Sequence, residues 1–277
     1  MLQLYHMALL QTIKDKVDVT RATQYLLFIL VILIPFSVRH VFDTTWNFQT
    51  GAYSDFTSLS IYMSDLILIA LTVSFIFSLK KLDKNFITSK VWLYFAGFAV
   101  FWLIIELFLQ SKQTLSLQVY FSVRVVFLIA FALIVSKIKV SREKLAWLLA
   151  ILGGIQSIIA VIQFYTQKSI GLYLLGESHL SPEALGVAKI VSHGTTLIRG
   201  YGTFPHANLL SAFLVVALLF NIYLLIKSYQ IPRGRNRLIA LYVLLLINTF
   251  GLFLTFSRGG ILAFGVAMAV ITAYFLI

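Results

Sequence analysis

Eight apolar segments, each about long enough to cross a bilayer, dominate this chain of 277 residues. A helix needs roughly 20 mainly apolar residues to span a hydrocarbon core about 30 Å thick. The segments lie at about 24–42, 60–79, 91–109, 119–136, 145–167, 208–226, 238–256 and 260–277. We therefore expect an all-α polytopic transmembrane bundle of about eight helices, with residues 1–277 forming a single membrane domain.

The composition excludes a water-soluble globule. The chain is 60% hydrophobic and 12% charged, whereas soluble domains are about 45–50% apolar and about 25% charged. Its mean hydropathy is +0.94. The absence of cysteine excludes a cysteine nucleophile, a thiolate metal site and disulfides.

The basic residues predict an orientation in the membrane. With the N-terminus in the cytoplasm, fifteen lysines and arginines lie inside, six lie outside, and Arg124 within a span completes the 22. Inner loops rich in Lys and Arg are typical of membrane proteins. This asymmetry accounts for the net charge of +12 without a basic face for nucleic acid, so no nucleic-acid partner is expected.

The longest loop, at about 168–207, falls on the predicted outer side. Loops of this length are usually functional or disordered, and this one carries signs of order. Ser181-Pro182-Glu183 has an N-cap residue, a proline for the first helical position and an acid for the first turn. We expect a short helix at about 182–188.

Three ionisable residues, Asp65, Glu106 and Arg124, lie within spans at similar predicted depths. Charged side chains at the centre of a transmembrane helix cost about 2.5–3.5 kcal/mol each on insertion scales. Opposite charges at one depth can pair and offset part of that cost. Two interpretations stay open: a structural ion pair or an arginine reaching the headgroups, and a polar cavity that opens to the outer leaflet.

Two further arginines lie beside predicted helix ends on the outer side. Arg199 precedes a glycine-containing stretch that ends at Asn208, where the sixth span begins, and Asn208 is a candidate cap for that helix. Arg258 lies in a tight connection between the last two spans. Helix N-termini favour anions, and arginine binds phosphate through a planar fork. A solvated loop arginine and an interface anchor are the alternative interpretations.

Two stretches about 50 residues apart give the chain its resemblance to a known family: Gly202-Thr203-Phe204-Pro205-His206-Ala207-Asn208 and Ser257-Arg258-Gly259-Gly260. Together they resemble the signature of the O-antigen ligase-like family, which comprises O-antigen ligases and O-antigen polymerases. The resemblance covers residues 170–277, and the earlier helices match only in hydropathy and layout.

The resemblance implies a glycosyltransferase of the bacterial cytoplasmic (inner) membrane, with its active face external or periplasmic. Such an enzyme transfers a glycan from an undecaprenyl-pyrophosphate carrier to lipid A core, a growing polysaccharide or a protein, and needs no cofactor and no metal. Arg199 and Arg258 match the family's catalytic arginines, which contact the pyrophosphate. Candidates for binding the substrate are Arg124, Asp65, His206 and Asn208.

The chain departs from the family at its end. Family members usually carry about four more helices and a second outer loop with an essential histidine, whereas this sequence stops at Ile277 within an apolar run. We therefore expect it to be the N-terminal part of a longer protein. Two other functions stay open: a non-catalytic membrane subunit of a polysaccharide-assembly complex, and a transporter or flippase that uses Asp65, Glu106 and Arg124.

Overall fold

The computed structural model describes residues 21–43, 59–79, 115–138, 140–192, 194–231 and 234–276, together with scattered positions between 94 and 108. The fold is an all-α membrane bundle, as the sequence predicted. In the described ranges, five helices are long and apolar enough to cross a membrane. They are α3 (Leu115–Lys137), α4 (Arg142–Thr166), α5 (Ala207–Gln230), α6 (Arg235–Leu254) and α7 (Arg258–Leu276).

Among the described residues, two shorter apolar helices precede them, α1 (Arg21–Leu33) and α2 (Met63–Leu79). The expectation that the first span continues to residue 42 is wrong, because the helix ends at Leu33 and the chain enters strand β1 (Arg39–Asp43). Pro35 explains the early end, since the residue before a proline is disfavoured in a helix. The predicted span at 91–109 lies mostly outside the described residues.

The chain folds as two compact units. The first contains α2, α3 and strand β2 (Leu59–Tyr62), which pairs with β1. Its core is a cluster of buried side chains from α1, α2 and α3. They are Leu27, Leu30, Leu68, Leu71, Phe75 and Ile134.

The second unit contains helices α4 to α7 and the long loop between α4 and α5. Its central core is formed mainly by α4 and α5, with Leu252 of α6 and Phe204 of the loop. Small residues let the helices approach closely, because a Cβ at Gly251 would overlap the Ser157 side chain. A Cβ at Gly153 would likewise lie 2.7 Å from the Cβ of Ala217.

One acidic side chain at the start of α4 binds basic side chains at the C-terminal end of α5 and at the start of α6. Glu143 accepts from Lys227 Nζ of α5 at 2.9 Å and from Arg237 Nη2 of α6 at 2.8 Å. The Arg237 guanidinium also lies over the Trp147 ring, 5.4 Å from its centroid. Because α4, α5 and α6 alternate in direction, the other end of this helix group holds the loop and the start of α7.

The long loop is ordered, as predicted, but its secondary structure differs from the prediction. It contains a 3₁₀ turn at Tyr173–Leu175 and a hairpin of β3 (Lys189–Ser192) and β4 (Thr195–Ile198). The helix expected at 182–188 does not form. Ser181 caps a single turn through Ala184 N, and Gly186, at φ +79°, then turns the chain away from helical geometry.

Candidate functional site

A buried glutamine of α4 holds the loop segment that carries Arg199. Gln163 is fully buried, and its Oε1 accepts from Tyr201 N at 3.1 Å and from Gly202 N at 2.8 Å. Its Nε2 donates to Gly202 O at 2.8 Å and to Glu177 Oε1 at 2.9 Å. One side chain thus satisfies three backbone groups of the loop and connects them to α4.

A second buried glutamine, Gln156, lies two helical turns earlier on the same face of α4. Its Oε1 accepts from Thr203 N at 2.9 Å, and the Thr203 hydroxyl also bonds to Pro35 O. Gly202, between the two glutamine contacts, adopts φ +62°, and a Cβ there would lie 2.5 Å from Gln156 Oε1. Glycine is therefore required at 202 both by its backbone conformation and by the adjacent amide.

Arg199 is half-buried and held by two hydrogen bonds. Its Nε donates to Thr255 O, at the end of α6, and its Nη2 donates to Asn208 Oδ1 at 2.6 Å. Gly200 N donates to Leu254 O at 2.9 Å, which holds the backbone beside the same helix end. Burial lowers the pKa of the Arg199 guanidinium below its ordinary value, and the Tyr201 phenol acts weakly in the opposite direction.

Arg258 is exposed at the first position of α7. The tight connection that the sequence predicted here is a corner of three residues, 255–257. Ser257 precedes it, and its Oγ accepts from Gly260 N at 3.3 Å, which caps the helix. Phe256 in the corner adopts φ +45°, a conformation that is uncommon for a bulky residue and that concentrates at functional sites.

The two arginines line one open cleft of about 720 Å³ between α5 and the start of α7. A Cβ at Gly260 would lie 2.7 Å from the Cβ of Ser211, so this glycine permits the close approach of the two helices. The described lining residues include no carboxylate. The lining comprises Arg199, Asn208, Ser211, Ala212, Val215, Phe256, Ser257, Arg258, Gly259, Gly260 and Ala263.

The charge distribution around this cleft suits an anion. Two guanidinium groups face it, and the N-termini of α5 and α7 border it. Each helix N-terminus adds about half a positive elementary charge from the aligned peptide dipoles. Guanidinium forks bind phosphate oxygens through paired hydrogen bonds, so the cleft can bind a phosphate group.

His206, rather than Asn208, caps α5. His206 Nδ1 accepts from Asn208 N at 3.0 Å, and its backbone is extended, as an N-cap requires. The prediction that Asn208 caps the helix is therefore wrong, since its side chain binds Arg199 instead. In this arrangement His206 holds the first turn of α5.

The other two candidate residues form an ion pair in the first unit. Arg124 Nη2 donates to Asp65 Oδ2 at 2.9 Å and to Ser60 O at 3.0 Å. The guanidinium also lies 4.9 Å from the Tyr62 ring centroid and 4.6 Å from that of Tyr120. One of the two interpretations of these residues was an ion pair, and the structure shows one between Asp65 and Arg124. Glu106 lies outside the described residues.

Sequence reasoning missed the glutamines that build the site. Gln156 and Gln163 are seven residues apart in an apolar span, so they lie on one face of the helix. Two glutamines seven residues apart within an apolar span were the sequence signal that could have identified this buried polar face. Among the described residues, no group of three His, Asp or Glu side chains is placed to hold a metal ion.

No family model matches the chain, and neither does any curated protein or solved structure.

Proposed function

We propose that this chain is a glycosyltransferase that takes a glycan from an undecaprenyl-pyrophosphate carrier at the outer face of the bacterial cytoplasmic membrane. The observation that carries the proposal is the cleft shared by Arg199 and Arg258. The sequence resemblance to O-antigen ligases and polymerases, which rests on the two stretches that border this cleft, gives the substrate class. The acceptor is lipid A core, a growing polysaccharide or a protein.

The cleft has both a polar and an apolar part, as an amphipathic substrate requires. Arg199, Asn208 and Arg258 lie at the helix ends, while Ala212 and Val215 lie further along α5. In the proposed complex the pyrophosphate lies against the arginines at the membrane surface. The polyprenyl chain remains in the apolar region beside α5.

The transfer breaks the bond between the anomeric carbon of the glycan and the oxygen of the carrier pyrophosphate. An acceptor hydroxyl forms the new bond to that carbon and gives its proton to a base. The leaving pyrophosphate gains negative charge as the bond breaks. Guanidinium groups placed where charge develops stabilise a transition state more than the ground state, and this is the role proposed for Arg199 and Arg258.

The two arginines differ in how they are held. Arg199 is fixed by Thr255 O and Asn208 Oδ1, so it presents its remaining N–H groups in a set direction. Arg258 is exposed on the first turn of α7. We therefore assign Arg199 to a fixed phosphate contact and Arg258 to a contact that forms when the carrier binds.

The decisive experiment measures binding of undecaprenyl pyrophosphate to the full chain in lipid nanodiscs. Arg199→Lys and Arg258→Lys keep the positive charge but lose the planar fork, and each should weaken binding about tenfold. Arg235→Lys is the matched control, because Arg235 is an exposed arginine at the start of α6. If both site variants bind as tightly as the wild type, the proposal fails.

A second measurement separates the enzyme from the alternatives. The full chain in nanodiscs is given an undecaprenyl-pyrophosphate-linked glycan and an acceptor, and the product is detected by mass spectrometry. Transfer that depends on Arg199 supports the glycosyltransferase. Carrier binding that needs Arg199 but gives no transfer, across the three acceptor classes, would contradict catalysis by this chain alone and would assign it the role of a carrier-binding, non-catalytic membrane subunit. Movement of the carrier across a sealed vesicle would support a flippase.

A further inference from the structure

A rigid turn of the long loop exposes three consecutive apolar side chains. The 3₁₀ turn contains Tyr173, Leu174 and Leu175, which are 48%, 93% and 40% exposed. Single exposed apolar residues are ordinary on protein surfaces. Three in one turn, with a leucine almost entirely uncovered, form a small projecting apolar surface, which we call the apolar turn.

Hydrogen bonds on both sides hold this turn in place. Gly176 N donates to Tyr173 O at 3.0 Å, and Leu175 N donates to Leu172 O at 2.9 Å. The buried carboxylate of Glu177 accepts from Ile170 N at 2.7 Å and also from Leu172 N. The exposure of Leu174 is therefore a property of a fixed backbone and does not arise from a loose loop.

Contacts of Glu177 and Gly176 also fix where the apolar turn lies along the helices of the second unit. Glu177 Oε1 accepts from Gln163 Nε2 at 2.9 Å, and Gln163 lies in the last turn of α4. Gly176 adopts φ +85°, and a Cβ there would overlap the backbone at Ser37, so the turn is packed against the chain that follows α1. The apolar turn thus lies beside the ends of the apolar helices.

The composition around the turn matches a membrane–water interface. The Tyr173 hydroxyl bonds to Ser169 Oγ at 3.0 Å, and its ring stacks on His179 at 4.4 Å. Tyr165, at the end of α4, is 69% exposed, and the exposed Lys168 follows it. Tyrosine is enriched at both surfaces of a bilayer, and a lysine there can lay its apolar stem on the hydrocarbon while its charged end stays in water.

We infer that the apolar turn inserts into the lipid bilayer at the membrane–water interface, beside the end of α4 and on the same side as the Arg199 cleft. A protein partner is a poorer fit, because stable protein interfaces bury about 800 Å² on each partner and three side chains supply far less. The inserted turn anchors the long loop to the membrane surface. This inference does not depend on the proposed function.

The absence of cysteine makes the test direct, because one introduced cysteine is the only labelling site. Leu174→Cys is labelled with a nitroxide in the full chain in lipid nanodiscs, and its collisions with oxygen and with a water-soluble nickel chelate are measured. Oxygen concentrates in lipid and the chelate in water. Leu246→Cys, at a 70% exposed position within α6, gives the reference for a lipid-facing site.

The measured quantity is the ratio of the collision rate with oxygen to that with the chelate. For the Leu174→Cys label, the inference predicts a ratio lower than that of the Leu246→Cys label and higher than that of a free nitroxide in water. A ratio equal to that of the free nitroxide would overturn it. Low collision rates with both reagents would also overturn it, because a protein surface or a second copy would then cover the turn. Leu175→Cys provides a second position on the same turn if Leu174→Cys does not fold.

Discussion

Arg199 Nη2 donates to Asn208 Oδ1 at 2.6 Å, and this bond joins the loop to the first turn of α5. Because Thr255 O holds the Nε of the same guanidinium, two groups on different helices determine where Arg199 points. Asn208 is thus a positioning residue for the arginine rather than a cap for its own helix.

Replacing Asn208 tests this relationship through opposite effects on stability and binding. Asn208→Ala removes the acceptor and should weaken binding of undecaprenyl pyrophosphate about three- to tenfold, because hydrogen bonds to charged groups contribute about 1.5–3 kcal/mol and this one is solvent-exposed. Asn208→Asp should weaken binding further, since a carboxylate neutralises Arg199 and repels the phosphates. Binding is measured in nanodiscs by fluorescence titration.

The melting temperature of Asn208→Asp should not fall with its binding affinity. An aspartate in the first turn of α5 interacts favourably with the helix dipole, so Asn208→Asp should melt at or above the wild-type temperature while it binds less carrier. Leu209→Ala is the matched control, because Leu209 is 44% exposed and does not line the cleft. Equal binding by Asn208→Ala and the wild type would refute the positioning role.

Alanine variants at Gly202 and Gly194 can separate the cost of backbone strain from the cost of steric overlap. Both adopt positive φ, +62° and +78°, and alanine in that region costs about 1–2 kcal/mol. Gly202 has a close neighbour, Gln156 Oε1, whereas no atom of the described residues lies within 4 Å of a Cβ at Gly194. Overpacking adds about 1–3 kcal/mol, so Gly202→Ala should lower the melting temperature in detergent distinctly more than Gly194→Ala. Equal decreases would contradict the close packing of the loop on α4.

Gln163 should control the order of the whole loop. Gln163→Leu leaves the amides of Tyr201 and Gly202 without their acceptor, and each unsatisfied buried group costs about 1–3 kcal/mol. We expect faster hydrogen exchange at 200–204 and around Glu177, measured by mass spectrometry on the full chain in nanodiscs. Ile162→Ala, at a 41% exposed position on the same helix, should leave these rates unchanged. Slow exchange in Gln163→Leu would show that other contacts hold the loop.

Features set by local sequence were predictable. The apolar runs located α4 to α7 to within a few residues, because a span must be about 20 residues long. The tight corner before Arg258 followed from the short gap between two runs. The similar depths of Asp65, Glu106 and Arg124 allowed an ion pair, since an unpaired charge is costly in lipid, but they did not show which carboxylate Arg124 binds.

Features set by tertiary contacts were not predictable from the same signals. The cap signal at Ser181 is present in the structure, but the following glycine ends the turn before a helix forms. Asn208 has the chemistry of a cap, yet a guanidinium nine residues earlier in the chain takes its oxygen. Gln163 reaches a glycine 39 residues away, a partner that only the folded loop brings close.

Removing only one partner of the Asp65–Arg124 pair should lower the stability of the protein, whereas removing both partners should change it little. Asp65→Leu leaves Arg124 without its carboxylate, and breaking a buried pair costs about 3–5 kcal/mol. The side chains here are 16% and 29% exposed, so we expect about 1–3 kcal/mol. The double variant Asp65→Leu/Arg124→Leu removes both charges and should recover most of the melting temperature lost by Asp65→Leu. This recovery follows because replacing a buried pair with apolar groups is often neutral.

The outcome also decides between the two interpretations of these residues. If Asp65 and Arg124 serve only to hold α2 against α3, the double variant should bind undecaprenyl pyrophosphate as tightly as the wild type does. Thr72→Val, also on α2, is the control, because it leaves the charge unchanged. If the double variant regains its melting temperature but loses carrier binding, the pair contributes to the substrate site. A double variant that melts as low as Asp65→Leu would contradict the pairing energetics, because the loss would then come from the bond that Tyr62 N donates to Asp65 Oδ2 and not from an uncompensated charge.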